Sequence, residues 1–362
     1  MECPDLSPEK DIIKDKSFSG WRPLAKPGDL SPFSTTSQTW QKIWPLKPEV
    51  VFEGGNLAVN PAGTNVDSPA SMSILTTSKD TLQTQFTWTD KTSAASALAT
   101  NFAARIMAKT PKYWPETVRA LMIHSSDWTA QMRQSFVHRT KRDKELLIRA
   151  CGYGVPDFDK AIACSTSHLT LIAQEEIKPF KDGKMHELHL HNLPWPVEVL
   201  KKFEKAKVVM TVNLYYFIEK KRASRNHFYK FKYQSHGLRF EVKTGTESIA
   251  EFMKRINKEK WESEDRKENI TSKTDSDSWF LGTDARSRGS VHKDIWTGTA
   301  ASLSEMGSIA VFPVSGWWKD KKDKSIANKK SRYSLVVSIS TSETKLDVYT
   351  PVETAITTRI EV

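Results

Sequence analysis

Ser93 stands in the string Asp-Lys-Thr-Ser-Ala-Ala (90–95), which runs directly into the apolar stretch SALATNFAARIMA. A serine hydroxyl at the start of a helix has acyl-transfer chemistry within reach. Its own backbone N–H points out of the helix end, where an oxyanion would sit. The helix dipole favours the negative charge that develops when the hydroxyl attacks a carbonyl carbon. The small residues around it let another backbone come close. A serine in this place also serves as a helix N-cap, and the local pattern alone leaves both readings open. A hydroxyl is a weak nucleophile until a base takes its proton, so the next question is where a base would come from. No histidine occurs in residues 1–92, and the first in the chain is His124.

The later histidines form a second candidate cluster. In MHELHLHNLPWP, a strand would place Glu187, His189 and His191 on one face, with His186 beside them. His-x-His is a metal-ligand spacing, but no second ligand pair at a recognisable spacing accompanies it, so the pattern also reads as an ordinary strand. His124 falls in an apolar helix opposite Leu121, as a candidate base or as a packed side chain. The Gly-x-Ser-x-Gly elbow of hydrolases that place histidine last in the chain is absent. The three cysteines, Cys3, Cys151 and Cys164, are odd in number and lack Cys-x-x-Cys spacing, which argues against a disulfide framework and a zinc ribbon.

Two unlike halves must position these residues. From about 93 to 150 the period is helical. Ala94, Ala95, Leu98, Phe102, Ala103, Ile106 and Met107 predict a helix buried on most sides, ending at Thr110-Pro111. WPETVRALMIHSS predicts a second, with Pro115 suited to its first position and Glu116 to the positive end of its dipole. A third runs over about 130–150, and CGYGVPD then supplies a tight turn before the short helix DFDKAIA. Past about residue 165 the period drops to two. Val208, Met210, Val212, Leu214, Tyr216 and Ile218 alternate with other residues, as do Leu238, Phe240 and Val242, and Tyr333, Leu335, Val337 and Ile339. Such strands predict an all-β sandwich or jelly-roll-like domain over 166–362. The charged stretch near 254–278 is read as an exposed insertion in it.

The run TSAASALATNFAARIMAKTPKYWPETVRALMIHSSDWT, followed by CGYGVPD, resembles the nucleophile region of subtilisin-like serine proteases. Upstream, LSPFSTTS resembles that family's Ser-x-Phe-Ser segment and KPEVVFEGG its Lys-Pro-Asp-Val-x-Ala-Pro-Gly stretch. NLPWPVEVL, LYYFIE, SHGLRFEVK, RGSVHKDIWTGTA, VFPVSGWW and RYSLVVSIS resemble the carboxyl-terminal extension of a bacterial branch of the family. The resemblance implies an α/β fold with a parallel sheet and helices over 1–165. It also implies that Ser93 is the nucleophile and that its backbone N–H is an oxyanion donor. Three departures stand out. Lys91 occupies a place where the family has Gly, forfeiting the free φ that Gly allows. The gap between the Lys-Pro segment and Ser93 is longer than the family's. Subtilisin-like triads run Asp, His, Ser, yet neither a preceding histidine nor a convincing Asn donor is present; Asn56 falls after the point where that donor belongs. The chain therefore reads as the carboxyl-terminal portion of a peptidase domain, retaining the nucleophile and lacking the Asp and His segments.

Three functions follow as expectations. The first is a serine endopeptidase acting on peptide or protein substrates, inactive alone or completed by a separate chain that supplies Asp and His. The second is a peptide- or protein-binding relative that does not cleave. The third is a nucleic-acid-binding β-module using Lys321, Lys322, Lys324, Lys329 and Lys330 beside Trp317 and Trp318. The net charge of +11 invites the third. Much of the excess, however, sits in KDKKDKSIANKKSR (319–332), where seven basic residues face two Asp between apolar segments, and this reads as a solvated loop. The resemblance adds an AAA-class ATPase as a partner and no cofactor. The polar N-terminus MECPDLSPEKDIIKDK does not read as a signal peptide, and no apolar run approaches the roughly 18 residues of a membrane helix, so a reducing, cytoplasmic setting without a membrane is expected.

Overall fold

A computed structural model describes residues 18–136, 140–162, 168–219, 234–264, 277–320, 326 and 329–341. The chain divides into two compact units, the first made of residues 1–40, 46–111 and 125–161, the second of 41–45, 112–124 and 162–362. Among the described residues no helix is long and apolar enough to cross a membrane.

In the first unit, short strands β1 (Arg22–Pro23), β2 (Ala58–Val59) and β3 (Val66–Asp67) form one small antiparallel sheet. Strands β4 (Ile74–Thr77) and β5 (Phe86–Thr89) form a hairpin, which accounts for the long gap before Ser93. Helix α1 (Lys91–Lys109) follows it directly. Its apolar residues recur at three- and four-residue steps, so Ala94, Ala95, Phe102 and Ile106 are buried on one face. Phe102 is the centre of a ring ladder, edge-on to Phe52 at 5.8 Å and to Phe158 at 5.6 Å between centroids. The expectation of a helix buried on most sides is corrected: Ser93, Ser96, Ala97, Thr100, Ala104 and Met107 lie on an exposed face. Small residues suit close packing but do not enforce it.

Helices α2 (Pro115–Ser125), α3 (Ala130–Ser135), α4 (Lys141–Cys151) and α5 (Phe158–Ile162) follow in chain order. Thr140 and Asp143 close a reciprocal capping box at the start of α4. Its end turns through Gly152 (φ +59°) and Gly154 (φ +92°), where an added Cβ would lie 2.5 Å from Glu49 O and 2.0 Å from Asp127 O. Only glycine fits that close backbone approach, which holds the extended segment 49–51 against 153–154 through Tyr153 N donating to Glu49 O and Val51 N donating to Gly154 O. Every strand pairing among the described residues is antiparallel, so the expected parallel sheet does not form within them, and the fold is mixed α/β.

The second unit is built on a four-stranded antiparallel sheet of β6 (His168–Ile177), β10 (Lys207–Tyr216), β12 (Val291–Thr299) and β14 (Ser331–Thr341), in the order β12-β10-β14-β6. A three-stranded sheet of β9 (His189–Asn192), β11 (Gly237–Val242) and β13 (Ser308–Val314) has the order β11-β13-β9. The alternation read from sequence lands where it should. Val208, Met210, Val212, Leu214 and Tyr216 share one core with Leu238, Phe240, Val242, Ile309 and Val311 from the smaller sheet and Leu335, Val337 and Ile339 from β14.

Two features depart from an all-β domain. Helix α2 lies on the other face of the large sheet and is tied to all four strands. Asn213 of β10 donates to Ala120 O at 2.8 Å, and Lys293 of β12 donates to the carbonyls of Ile123 and His124. Ser338 of β14 pairs with His124, while Gln174 of β6 accepts from Trp114 N and the Thr117 hydroxyl. Lys293 is buried, and its ammonium sits at the negative end of the helix dipole against carbonyls that lack helical partners. Secondly, the insertion read near 254–278 is in part helix α7 (Ile249–Glu264), whose Phe252 and Ile256 are fully buried against Ala310, Phe312 and Val314. Two apolar residues one turn apart suffice to seat a charged helix. Residues 265–276 lie outside the described residues.

Candidate functional site

Helix α1 places Ser93 in its first turn, exposed. Asp90 precedes the first helical residue and makes no capping bond; its carboxylate instead accepts from the Ser68 hydroxyl at 3.0 Å and pairs with Lys91 at 3.6 Å. Ser93 therefore does not cap the helix, and the N-cap reading falls. Among the described residues the backbone amides of Thr92 and Ser93 make no hydrogen bond, so two donors stand at the positive end of the helix beside the Ser93 hydroxyl. This is the arrangement that holds a developing oxyanion.

Lys91 enters this turn with φ +70°, in the left-handed region. The sequence comparison with a glycine position thus has a backbone counterpart: the turn keeps the conformation that glycine adopts freely, and a lysine holds it at a cost of roughly 1–2 kcal/mol. Three contacts hold the strained residue. Its N–H donates to Gly54 O at 2.7 Å, and its ammonium lies 5.4 Å from the centroid of Phe33 besides pairing with Asp90. The lysine side chain is led away along Phe33 and stays largely exposed.

The described residues of the first unit contain no histidine, and His138 lies outside them. His124 is committed elsewhere. It is buried, its Nε2 bonds Ser338 Oγ at 2.7 Å, and its Nδ1 is buried without a partner. Burial, reinforced by Lys293, holds its pKa well below the usual imidazole value, so it is a neutral packing side chain. Asn56 is likewise engaged: its amide donates to Ala25 O and its oxygen accepts from the N–H groups of Ala25 and Leu57.

His189 and His191 converge on one atom that the sequence did not reveal, the hydroxyl of Tyr333, each at 2.7 Å. One hydroxyl donates only one proton, so at most one ring accepts from it and at least one presents its own N–H. Burial, with His189 nearby, lowers the His191 pKa to about 4. Glu187 reaches His189 at 4.0 Å, and among the described residues no group of three or more His, Cys, Asp or Glu is placed to hold a metal. The signal in sequence is faint: Tyr333 is one apolar position of an alternating strand.

Of the basic cluster, Lys329 pairs with Glu219 at 2.8 Å and Lys330 with Glu176 at 3.6 Å. Trp318 is buried and stacks on His236 with centroids 4.7 Å apart, which leaves its face closed to a base. Lys321, Lys322 and Lys324 lie outside the described residues. Cys151 is buried and free, with burial pushing its thiol up to about 12, so it is no nucleophile.

The geometry is thus a serine with helix-start donors, a strained turn before it, and no histidine among the described residues of its own unit. Comparison with known proteins gives one result in the same place: residues 13–154 match the model of the subtilase family, peptidase S8. No curated protein matches the chain. The matched segment contains the Lys-Pro stretch, the Ser93 turn, helices α1 to α4 and the Gly-x-Gly turn. Over residues 13–154 the chain is thus similar to the subtilase family.

Proposed function

We propose that the chain is the nucleophile-bearing part of a subtilisin-like serine endopeptidase. Ser93 Oγ attacks the scissile carbonyl of a peptide; the bond to carbon forms as a base removes the hydroxyl proton. The Ser93 and Thr92 amides receive the oxyanion, and the leaving amine takes the proton from the base as the C–N bond breaks. Water then repeats the sequence on the acyl-enzyme. The observation that carries this reading is the placement of an uncapped Ser93 among free helix-start amides, behind a turn held in a glycine-like conformation. The base and its Asp come from polypeptide other than the described residues around Ser93.

A binding relative that does not cleave is the second reading, favoured by the lack of a histidine among the described residues of the first unit. Hydrolysis of a fluorogenic peptide separates the two. The full chain alone is expected to match its Ser93→Ala variant. Adding a polypeptide with the Asp- and His-bearing segments of a subtilase domain is expected to produce turnover that Ser93→Ala lacks. Failure to produce it with any such polypeptide leaves the binding reading.

A further inference from the structure

His189 and His191 stand two residues apart on β9, so both rings leave the same face of that strand. Pairing with β13 holds them in register, His189 opposite Val311 and His191 opposite Ile309. Tyr333 comes from β14 in the other sheet of the same unit, held between β10 and β6. Three donor atoms from two anchored strands thus meet: His189 Nδ1 and His191 Nε2 each lie 2.7 Å from Tyr333 Oη. Ligands sharing a metal ion at bonds of about 2.0–2.1 Å stand about 3 Å apart. These two separations need open by only a few tenths of an ångström to become edges of a coordination shell. The His-x-His spacing lacked a further ligand in sequence, and the donor that completes it is a tyrosine.

The surroundings suit a cation. Glu187 Oε2 lies 4.0 Å from His189 Nε2, the ring nitrogen that does not bond Tyr333. A carboxylate there favours a proton on Nε2 and leaves the Nδ1 lone pair toward the tyrosine, the tautomer that a metal ligand needs. Glu187 is itself fixed, its Oε2 accepting from the Lys178 N–H. Burial, with His189 nearby, keeps His191 neutral near pH 7, as ligation requires. Burial, with Glu175 across the strand pair, raises the Tyr333 pKa, so the hydroxyl keeps its proton until a cation displaces it. The side chains of His189 and Glu187 are 25% and 37% exposed, which leaves a way in from solvent.

We propose that His189 Nδ1, His191 Nε2 and Tyr333 Oη bind one divalent transition-metal ion, with Glu187 as the positioning residue for His189. Binding exchanges a proton for the metal: the Tyr333 O–H bond breaks, a metal–oxygen bond forms, and the proton passes to solvent. His191 then carries its ring proton on Nδ1. Two imidazoles and a phenolate suit copper(II) or zinc(II), whereas magnesium and calcium take oxygen donors. The site does not rest on the reading of Ser93.

The test titrates the full chain with copper(II) and follows absorption, because a phenolate bound to copper(II) gives a charge-transfer band that a free tyrosine lacks. The band is expected to saturate at one equivalent and to be unmoved by excess magnesium. Tyr333→Phe, which keeps the ring in the core, should abolish the band and weaken binding at least ~10-fold. His189→Gln and His191→Gln should each weaken binding at least ~10-fold, and Glu187→Gln about 10-fold with the band retained. His186→Gln, an exposed neighbour, should change nothing. Should Tyr333→Phe fail to fold, electron paramagnetic resonance of the copper-loaded parent decides, with coupling to two imidazole nitrogens expected. No band, a band that survives Tyr333→Phe, binding unmoved by both histidine variants, or coupling to fewer than two imidazole nitrogens would overturn the proposal.

Discussion

The two faces of helix α1 and the two faces of strand β10 make an instructive pair. Strand β10 is covered on both sides. Its even positions enter the shared core, and Asn213 and Tyr215 on the opposite face meet helix α2 through the Asn213 bond to Ala120 and the Arg119 guanidinium 5.0 Å from the Tyr215 ring. Helix α1 buries Ala94, Ala95, Phe102 and Ile106, and leaves the face that bears Ser93 open. In the second unit one buried cluster of charged groups is paired, although Asn213 Oδ1, His236 Nε2 and the Ser334 hydroxyl are buried there without partners. Arg286 meets Glu241 at 2.7 Å and Asp294 at 3.4 Å, while Asp294 also accepts from the amides of Leu281 and Gly282. Around Ser93, among the described residues, the Thr92 and Ser93 amides, the Val50 and Phe52 backbone groups and the Ser34 hydroxyl make no hydrogen bond. A closed network serves stability, and unpaired donors beside a nucleophile serve recognition.

If that contrast holds, the largest effect comes from breaking the closed network. Burial opposes the charge of Arg286, but Glu241 and Asp294 outweigh it and keep the guanidinium protonated. Arg286→Met leaves buried Asp294 without a cation and Glu241 with Arg255 alone, at 3.3 Å, and should lower unfolding free energy by roughly 3–5 kcal/mol in urea titration. A loss below about 1 kcal/mol would mean the network is solvated in solution.

Acid comes next. His236 is fully buried, and burial lowers its pKa to about 3. Its unfolded value is about 6.5, so above that pH both states are neutral and its contribution is complete. As pH falls from 6.5 towards 3, the unfolded chain takes up a proton that the folded chain refuses, and stability drops by about 1.4 kcal/mol per pH unit from this residue. His236→Phe should flatten the urea-midpoint profile between pH 6.5 and 4 by about one proton. An unchanged slope would place the titrating groups elsewhere.

At Ser93 the expected effects are smaller. Lys91→Gly relieves a left-handed lysine but gives up its Asp90 and Phe33 contacts and adds backbone entropy to the unfolded chain. The net gain should be up to about 1 kcal/mol, with faster acylation of Ser93 in a completed enzyme. Unchanged or slower acylation would show Lys91 to be adapted to its site. Met107, more than half exposed on the open face, should cost less than about 0.5 kcal/mol as Met107→Ala. A larger loss would show that this face is covered in solution.

Much of this was legible in sequence where local periodicity decides the structure. Five of the six even positions over 208–218 lie in β10 and point into one core, and Ile218 packs at its edge. Pro115 begins a helix, and the position aligned with a family glycine does adopt a left-handed backbone. What escaped were partners set by chain-distant packing. Nothing local to Lys293 says that it will reach the end of α2 on the far side of a strand, and nothing near Tyr333 announces two imidazoles. Helix α7 was hidden because Phe252 and Ile256 are diluted by charge. The exposed face of α1 was misread because alanine-rich helices look buried from composition alone.

The central claim is that Ser93 is a nucleophile waiting for its base. The most direct measurement is labelling with a fluorophosphonate probe, with the modified residue located by mass spectrometry, for the full chain alone and with a polypeptide supplying the Asp and His segments. The account predicts little labelling alone, not above that of Ser93→Ala, and strong labelling confined to Ser93 when the second polypeptide is present. Strong labelling of Ser93 in the isolated chain, abolished by His124→Ala or His189→Ala, would place the base within these 362 residues and contradict it.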